Sequence, residues 1–84
     1  MLNVYAAMWC PHCVRTIEYL KSKNIQFTYL DIEKQPDEIV QKVIDANGGE
    51  DWVIPTLEFN GKWREGKVFN EAELEHDLKS MGVI

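Results

Sequence analysis

The feature that most constrains this chain is the order of three segments in its first 32 residues. An apolar stretch comes first, then a cysteine turn that opens a helical pattern, then a second apolar stretch. Residues 2–7 are short, include Val4 and Tyr5, and lack strict alternation, the pattern of a strand covered on both faces. Pro11 suits the first position of a helix, where its missing N–H costs no hydrogen bond. Cys13, Val14, Ile17 and Leu20 then recur on one helical stripe. Lys21 and Lys23 lie where cations oppose the helix dipole, and Asn24 can end the helix in a left-handed conformation. Residues 25–32 set Ile25, Phe27 and Tyr29 against Gln26 and Thr28, which predicts a strand. Strand, helix and strand within about thirty residues make a βαβ unit, so the two strands run parallel.

The remainder extends this α/β plan. Gln35-Pro36-Asp37-Glu38 opens a second helix, with Ile39, Val40, Val43 and Ile44 as its apolar stripe and Asn47-Gly48-Gly49 as its stop. Pro55-Thr56-Leu57-Glu58-Phe59, Asn60-Gly61 and Lys62-Trp63-Arg64-Glu65 read as a β-hairpin, because Asn-Gly supplies the positive φ angles of a two-residue turn. Gly66 breaks its second strand. The last helix opens with a capping box: Asn70 caps, Glu73 returns the bond, and Phe69 staples onto Leu74. Leu74, Leu78 and Met81 form its buried stripe, and Gly82 ends it. The predicted order is β-α-β-α-β-β-α, in one domain spanning residues 1–84.

Bulk properties exclude several functions. The net charge of −5 argues against a general nucleic-acid binder, which needs a basic face to displace counterions. The apolar run 4–9 lacks a basic region before it and reads as a strand, not as an export signal. No segment approaches the length of a membrane span. The expected compartment is the cytoplasm, where a C-x-x-C pair serves catalysis or metal binding more often than structure.

Both cysteines of the chain lie in Cys10-Pro11-His12-Cys13. A disulfide closing so short a loop stabilises little, because that effect grows with loop length. Chemistry is the better reading. Cys10, just ahead of Pro11, faces the unpaired N–H groups and positive dipole end of the helix, which favour a thiolate. Cys13 lies one turn on, on the same side, where it can resolve a mixed disulfide. Arg15 adds a positive charge, and His12 can donate to Cys10 or sit beside it.

Cys10-Pro11-His12-Cys13-Val14-Arg15, the strand before it, and Val53-Ile54-Pro55-Thr56 ahead of the hairpin resemble glutaredoxin and the wider thioredoxin superfamily along essentially the whole chain. The resemblance implies a minimal thioredoxin-like, glutaredoxin-type fold: a four-stranded mixed sheet flanked by three helices. It implies that Cys10 is the nucleophile and that Cys13 resolves, forming a redox-active disulfide. Pro11, His12 and Arg15 then tune the site. The Ile54–Pro55 bond is implied to be cis, with Trp9, His12, Val53, Ile54 and Pro55 as the substrate-binding edge and the Ile54 backbone pairing with substrate as an added strand. Trp9 before the first cysteine is similar to thioredoxins and mycoredoxins, as Asn47-Gly48-Gly49 is to the latter, and Cys-Pro-His-Cys is similar to strongly oxidising disulfide oxidases. The chain departs from the usual glutaredoxin pattern in three places. Ala6-Ala7-Met8-Trp9 stands where a Lys or Arg is usual, His12 where Tyr is usual, and Gly66-Lys67-Val68-Phe69-Asn70 where Gly-Gly-x-Asp is usual.

The expected activity is that of a glutaredoxin-like thiol–disulfide oxidoreductase, a monomer with no bound cofactor and no metal. It would reduce or exchange protein disulfides and mixed disulfides with low-molecular-weight thiols such as glutathione, and a reductase would recycle it. One alternative is a dedicated electron donor to one protein, recharged by thioredoxin reductase. Another is a metal or iron–sulfur carrier, although a structural zinc site wants four ligands and only His12 and His76 could join the cysteines. Lys62, Arg64 and Lys67 form a basic group near the hairpin, either solvated surface or an attraction for an acidic partner.

Overall fold

In the computed structural model, which describes residues 1–84, the chain forms a four-stranded mixed sheet flanked by three helices. The elements are β1 (Leu2–Ala6), α1 (Pro11–Ser22), β2 (Phe27–Asp31), a 3-10 turn (Ile32–Lys34), α2 (Asp37–Ala46), β3 (Thr56–Phe59), β4 (Lys62–Arg64) and α3 (Glu71–Met81). The strand order is β2-β1-β3-β4. β1 runs parallel to β2, with Leu2 opposite Phe27 and Ala6 opposite Asp31, as the βαβ connection requires. β3 is antiparallel to both β1 and β4.

The missing alternation of β1 has its predicted cause. Leu2, Val4 and Ala6 pack with Leu57 against Ile17 and Leu20 of α1 and Leu74, Leu78 and Met81 of α3. Tyr5 and Ala7 point the other way, to Ile32 and to Val43 of α2. Trp63 lies on this second face, stacked on Tyr5 with ring centroids 5.8 Å apart.

Most of the local signals hold. Asn24 has φ 57°, and Asn60 and Gly61 have φ 51° and 85°, as the two-residue hairpin turn demands. Asn70 caps α3 by accepting from the Glu73 N–H at 2.9 Å. The reciprocal half of the capping box is not made, because the Glu73 carboxylate lies instead 3.9 Å from Arg64 Nη2. The second strand is shorter than residues 25–32. Its end is set at Asp31, whose carboxylate accepts from the Glu33 N–H at 3.0 Å and turns the chain into the 3-10 segment.

The basic group at the hairpin is corrected by the structure. Arg64 is buried, and its Nε donates to Asp77 Oδ2 at 2.7 Å, while Lys67 Nζ reaches the same oxygen at 3.2 Å. Of the three cations only Lys62 is an open surface charge: Arg64 holds α3 to the sheet, and Lys67 ties the stretch ahead of α3 to the same carboxylate.

Burial is the largest influence on Asp77 and opposes its ionisation. The hydrogen bonds and charges of Arg64 and Lys67 together outweigh it and hold the carboxyl below its ordinary range. A carboxyl with a depressed folded pKa stabilises the protein above its unfolded pKa, and that contribution is lost as pH falls through the folded value. Asp77→Ala leaves Arg64 buried and unpaired and is expected to cost about 3 kcal/mol at pH 7. Urea unfolding of wild type and variant should show this gap closing as the pH falls below the carboxylate range.

Candidate functional site

Three segments converge at the C-terminal end of β1: the turn into α1, the loop 53–55, and the stretch 66–69 ahead of α3. The first carries the dithiol. Cys10 is the N-cap residue of α1, with φ −93° and ψ 115°, and its carbonyl accepts the first helical bond, from the Val14 N–H at 3.1 Å. The turn is closed behind it by the Cys10 N–H donating to the Ala7 carbonyl at 3.1 Å. Pro11 occupies the first helical position. The Cys10 side chain therefore stands where the first-turn N–H groups have no helical partner.

The two sulfurs are unequal. Cys10 lies at the rim with 8% of its surface exposed, whereas Cys13 is fully enclosed; both are free thiols. Burial pushes the Cys13 thiol up to about 12. A bond from the Ala7 backbone works against the shift, and the hydrogen bond and charge of Cys10 add to it. Cys13 is thus a protonated donor beside Cys10 at neutral pH. Of the flanking cations, Arg15 is exposed and makes no ion pair.

His12 is half-buried and makes no hydrogen bond to Cys10. Its Nδ1 accepts from the Phe69 N–H at 3.0 Å, which places the hydrogen of the neutral ring on Nε2 and ties the dithiol turn to the start of α3. His76 is exposed on α3, so the two histidines and two cysteines are not brought together as a ligand set. Trp9 is exposed, and its indole N–H donates to Glu33 Oε1 at 2.8 Å.

The loop 53–55 packs, through Ile54, on the cluster that holds both cysteines. The Ile54–Pro55 bond is cis. Pro55 is buried, Ile54 packs against both hydrophobic clusters, and Val53 is exposed. Ile54 makes no backbone hydrogen bond within the chain, which leaves its N–H and C=O open for an extended partner.

Asn47 and Gly66 brace this loop, and both carry more than the helix stop and strand break read from sequence. The Asn47 amide donates to the Val43 carbonyl at 2.8 Å and to Thr56 Oγ1 at 2.9 Å, and it accepts from the Gly66 N–H at 2.7 Å. Thr56 Oγ1 in turn donates to the Val53 carbonyl. A Cβ on Gly66 would lie 2.5 Å from Val53 Cγ1 and 2.7 Å from its carbonyl carbon. Gly66 is required because two backbones pass too closely for any side chain, a reason invisible along the chain.

A glutaredoxin family model matches residues 2–63, which includes the dithiol turn, the cis-proline loop, β3 and the start of β4. The chain belongs to the glutaredoxin family. It is 31% identical over 77 residues to an uncharacterized glutaredoxin-like 8.6 kDa protein in the rubredoxin operon of Clostridium pasteurianum, covering 89% of this chain and 93% of that protein. Among solved structures it is similar to a glutaredoxin from Archaeoglobus fulgidus, with a TM-score of 0.69 and 29% identity over 89% of this chain and 82% of the other. A thioredoxin-like protein matches with a TM-score of 0.68 and 25% identity, covering 90% and 97%. Wheat glutaredoxin shares the fold, with a TM-score of 0.61 at 20% identity over 98% and 73%. Family and fold together support a thiol-redox role.

Two outcomes are expected from this geometry. Gly66→Ala must push Val53 aside, at a cost of about 1–3 kcal/mol in unfolding free energy, and exchange activity should fall with it. Cys13, with a folded pKa above its ordinary value of 9.0, adds stability that is complete below pH 9 and lost as pH rises towards 12. Urea midpoints of the reduced protein should therefore drop faster over that window than those of Cys13→Ser.

Proposed function

We propose that the chain is a glutaredoxin-like thiol–disulfide oxidoreductase in which Cys10 attacks and Cys13 resolves. The observation that carries this reading is the inequality of the two thiols. Cys10 stands at the rim on a helix N-terminus, and Cys13 is enclosed and held protonated beside it. The Cys10 thiolate attacks one sulfur of a substrate disulfide, forming a Cys10–substrate mixed disulfide and releasing the other half as a thiolate. Cys13 then gives up its proton and attacks the Cys10 sulfur. A Cys10–Cys13 disulfide forms and the second substrate thiolate leaves. Two electrons pass from the dithiol to the substrate, and a low-molecular-weight thiol such as glutathione or a recycling reductase restores them.

In this proposal Trp9, Val53 and Pro55 flank the substrate, and the free backbone of Ile54 pairs with it as an added strand. His12 sets the potential from its fixed position between the cysteines, with Arg15 as the neighbouring cation. The cytoplasm suits such a centre, since its reducing poise regenerates dithiols. A specific observation favours a protein as the disulfide-bearing partner. Met8, Trp9, Val53 and Val68 are exposed hydrophobics on the three segments that converge at the dithiol. An apolar collar of this kind suits a polypeptide better than a small charged thiol.

Cys10→Ser is expected to lower the rate of disulfide reduction by at least about three orders of magnitude. Cys13→Ser should retain the first step and accumulate the mixed disulfide, detectable as a mass increase; retention of full activity by Cys10→Ser would overturn the mechanism. Equilibrium redox titration checks His12. His12→Tyr should make the pair less oxidising by tens of millivolts, since about 30 mV corresponds to about 1.4 kcal/mol for this couple.

A further inference from the structure

The structure puts an unneutralised carboxylate beside the proposed exchange centre. Glu33 lies in the 3-10 turn after β2, at the end of the strand next to the dithiol turn. Its own backbone N–H is held by Asp31 Oδ1 at 3.0 Å, and its Oε1 accepts from the Trp9 indole N–H at 2.8 Å. Trp9 immediately precedes Cys10. The Glu33 charge is thus anchored at both ends, by the turn that carries it and by the ring that it orients.

No cation cancels this charge. Neither Asp31 nor Glu33 takes part in any ion pair of the molecule. Arg64 and Lys67 are engaged by Asp77. Lys34 and Arg15 are exposed on flexible stems and form no hydrogen bond or ion pair, so they are less fixed than Glu33. Burial is the largest influence on the Tyr29 hydroxyl, and Asp31, Cys13 and Glu33 all add to its upward shift. The two carboxylates and the dithiol therefore share one neighbourhood.

We infer that Glu33 is a positioning and specificity-determining residue, orienting Trp9 and biasing the Cys10 exchange centre towards disulfides with neutral or cationic flanks and against anionic ones. The inference builds on the proposed exchange reaction and names its substrate class. A disulfide entering over Trp9 brings its flanking groups within several ångströms of the Glu33 carboxylate. At that separation, one unit charge on the substrate changes its local concentration and transition-state energy by a few-fold in water-like surroundings. The fitting partner is a polypeptide disulfide flanked by Lys or Arg, or a low-molecular-weight disulfide bearing amines and not carboxylates.

The test uses the reduced full chain in single turnover, with no recycling system. Loss of the Cys10 thiol is followed by acid quench, alkylation and mass measurement. Three probe disulfides differ in charge: cystamine as a dication, hydroxyethyl disulfide as neutral, and dithiodiglycolate as a dianion. Glu33→Gln keeps an oxygen that can accept from the Trp9 indole and removes only the charge. Relative to wild type, it should raise the dithiodiglycolate rate about threefold and lower the cystamine rate about threefold, so that their ratio rises close to tenfold. The change in ratio should collapse in 1 M NaCl, where the screening length is about 3 Å. Glu33→Lys should carry the ratio further in the same direction. A ratio that stays at the wild-type value in both variants, or one that shifts equally at low and high salt, would overturn the role of Glu33 while leaving the exchange reaction intact. Failure of the wild type to react with hydroxyethyl disulfide would instead overturn the exchange reading itself.

Discussion

Everything in this molecule hangs on the burial of β1 on both of its faces. Leu2, Val4 and Ala6 feed one hydrophobic cluster and Tyr5 and Ala7 the other, so every position from 2 to 7 except Asn3 lies inside a two-sided core. A strand covered this way cannot slip by one residue, because a slip would exchange the two sets of side chains between faces of different shape. Its C-terminal end is therefore fixed in space. The Ala7 carbonyl that closes the Cys10 turn inherits that fixity, and α1 begins from it. In a chain this small, about 80 residues being the range in which one core is only marginally sufficient, the dithiol is placed by the best-packed element available.

The opposite side of the site is a loop that runs into β3, and the loop itself is held by polar bonds. Asn47 joins α2, Thr56 and Gly66 through one side chain, and all of its amide hydrogen-bonding groups that matter to the loop are used. His12 joins the dithiol turn to Phe69. These bonds are specific in direction as apolar contacts are not, and each would leave a partly buried donor or acceptor unsatisfied if broken. A loop that leaves the Ile54 backbone unpaired needs this kind of support, since regular pairing would satisfy the groups that the proposed reaction leaves for a substrate.

What was legible in the sequence and what was not divides by separation along the chain. The α3 cap acts between residues three apart, the hairpin turn sits in two adjacent residues, and the α1 stripe and its Pro11 start lie within one helix; all were readable because their physics is local. The dithiol, too, is a local motif. The Arg64 pairing spans 13 residues, the Gly66 bond to Asn47 spans 19, the Trp9 bond to Glu33 spans 24, and the His12 bond to Phe69 spans 57. No periodicity or propensity reports such contacts. Arg64 in particular sits in a Lys-Trp-Arg run that alternates as an edge strand should, and its inward direction is clear only once Leu57 is known to lie opposite it. Glu73 shows the limit of even a local rule: the capping box names the right acid, but a buried guanidinium within reach draws the carboxylate away.

The asymmetry of the two thiols follows from the same geometry that places them. Residues 10 and 13 are three apart at a helix start, so both point to one side, but only one can lie at the N-cap, outside the first turn. Cys13, a turn deeper, must pack into the cluster that β1 shares with α1 and α3, and enclosure alone disfavours its anion. In the proposed reaction, helix position thus sorts two chemically identical side chains into an attacking and a resolving role. The dithiol is flanked by an indole held by a carboxylate on one side and an imidazole held by a backbone N–H on the other.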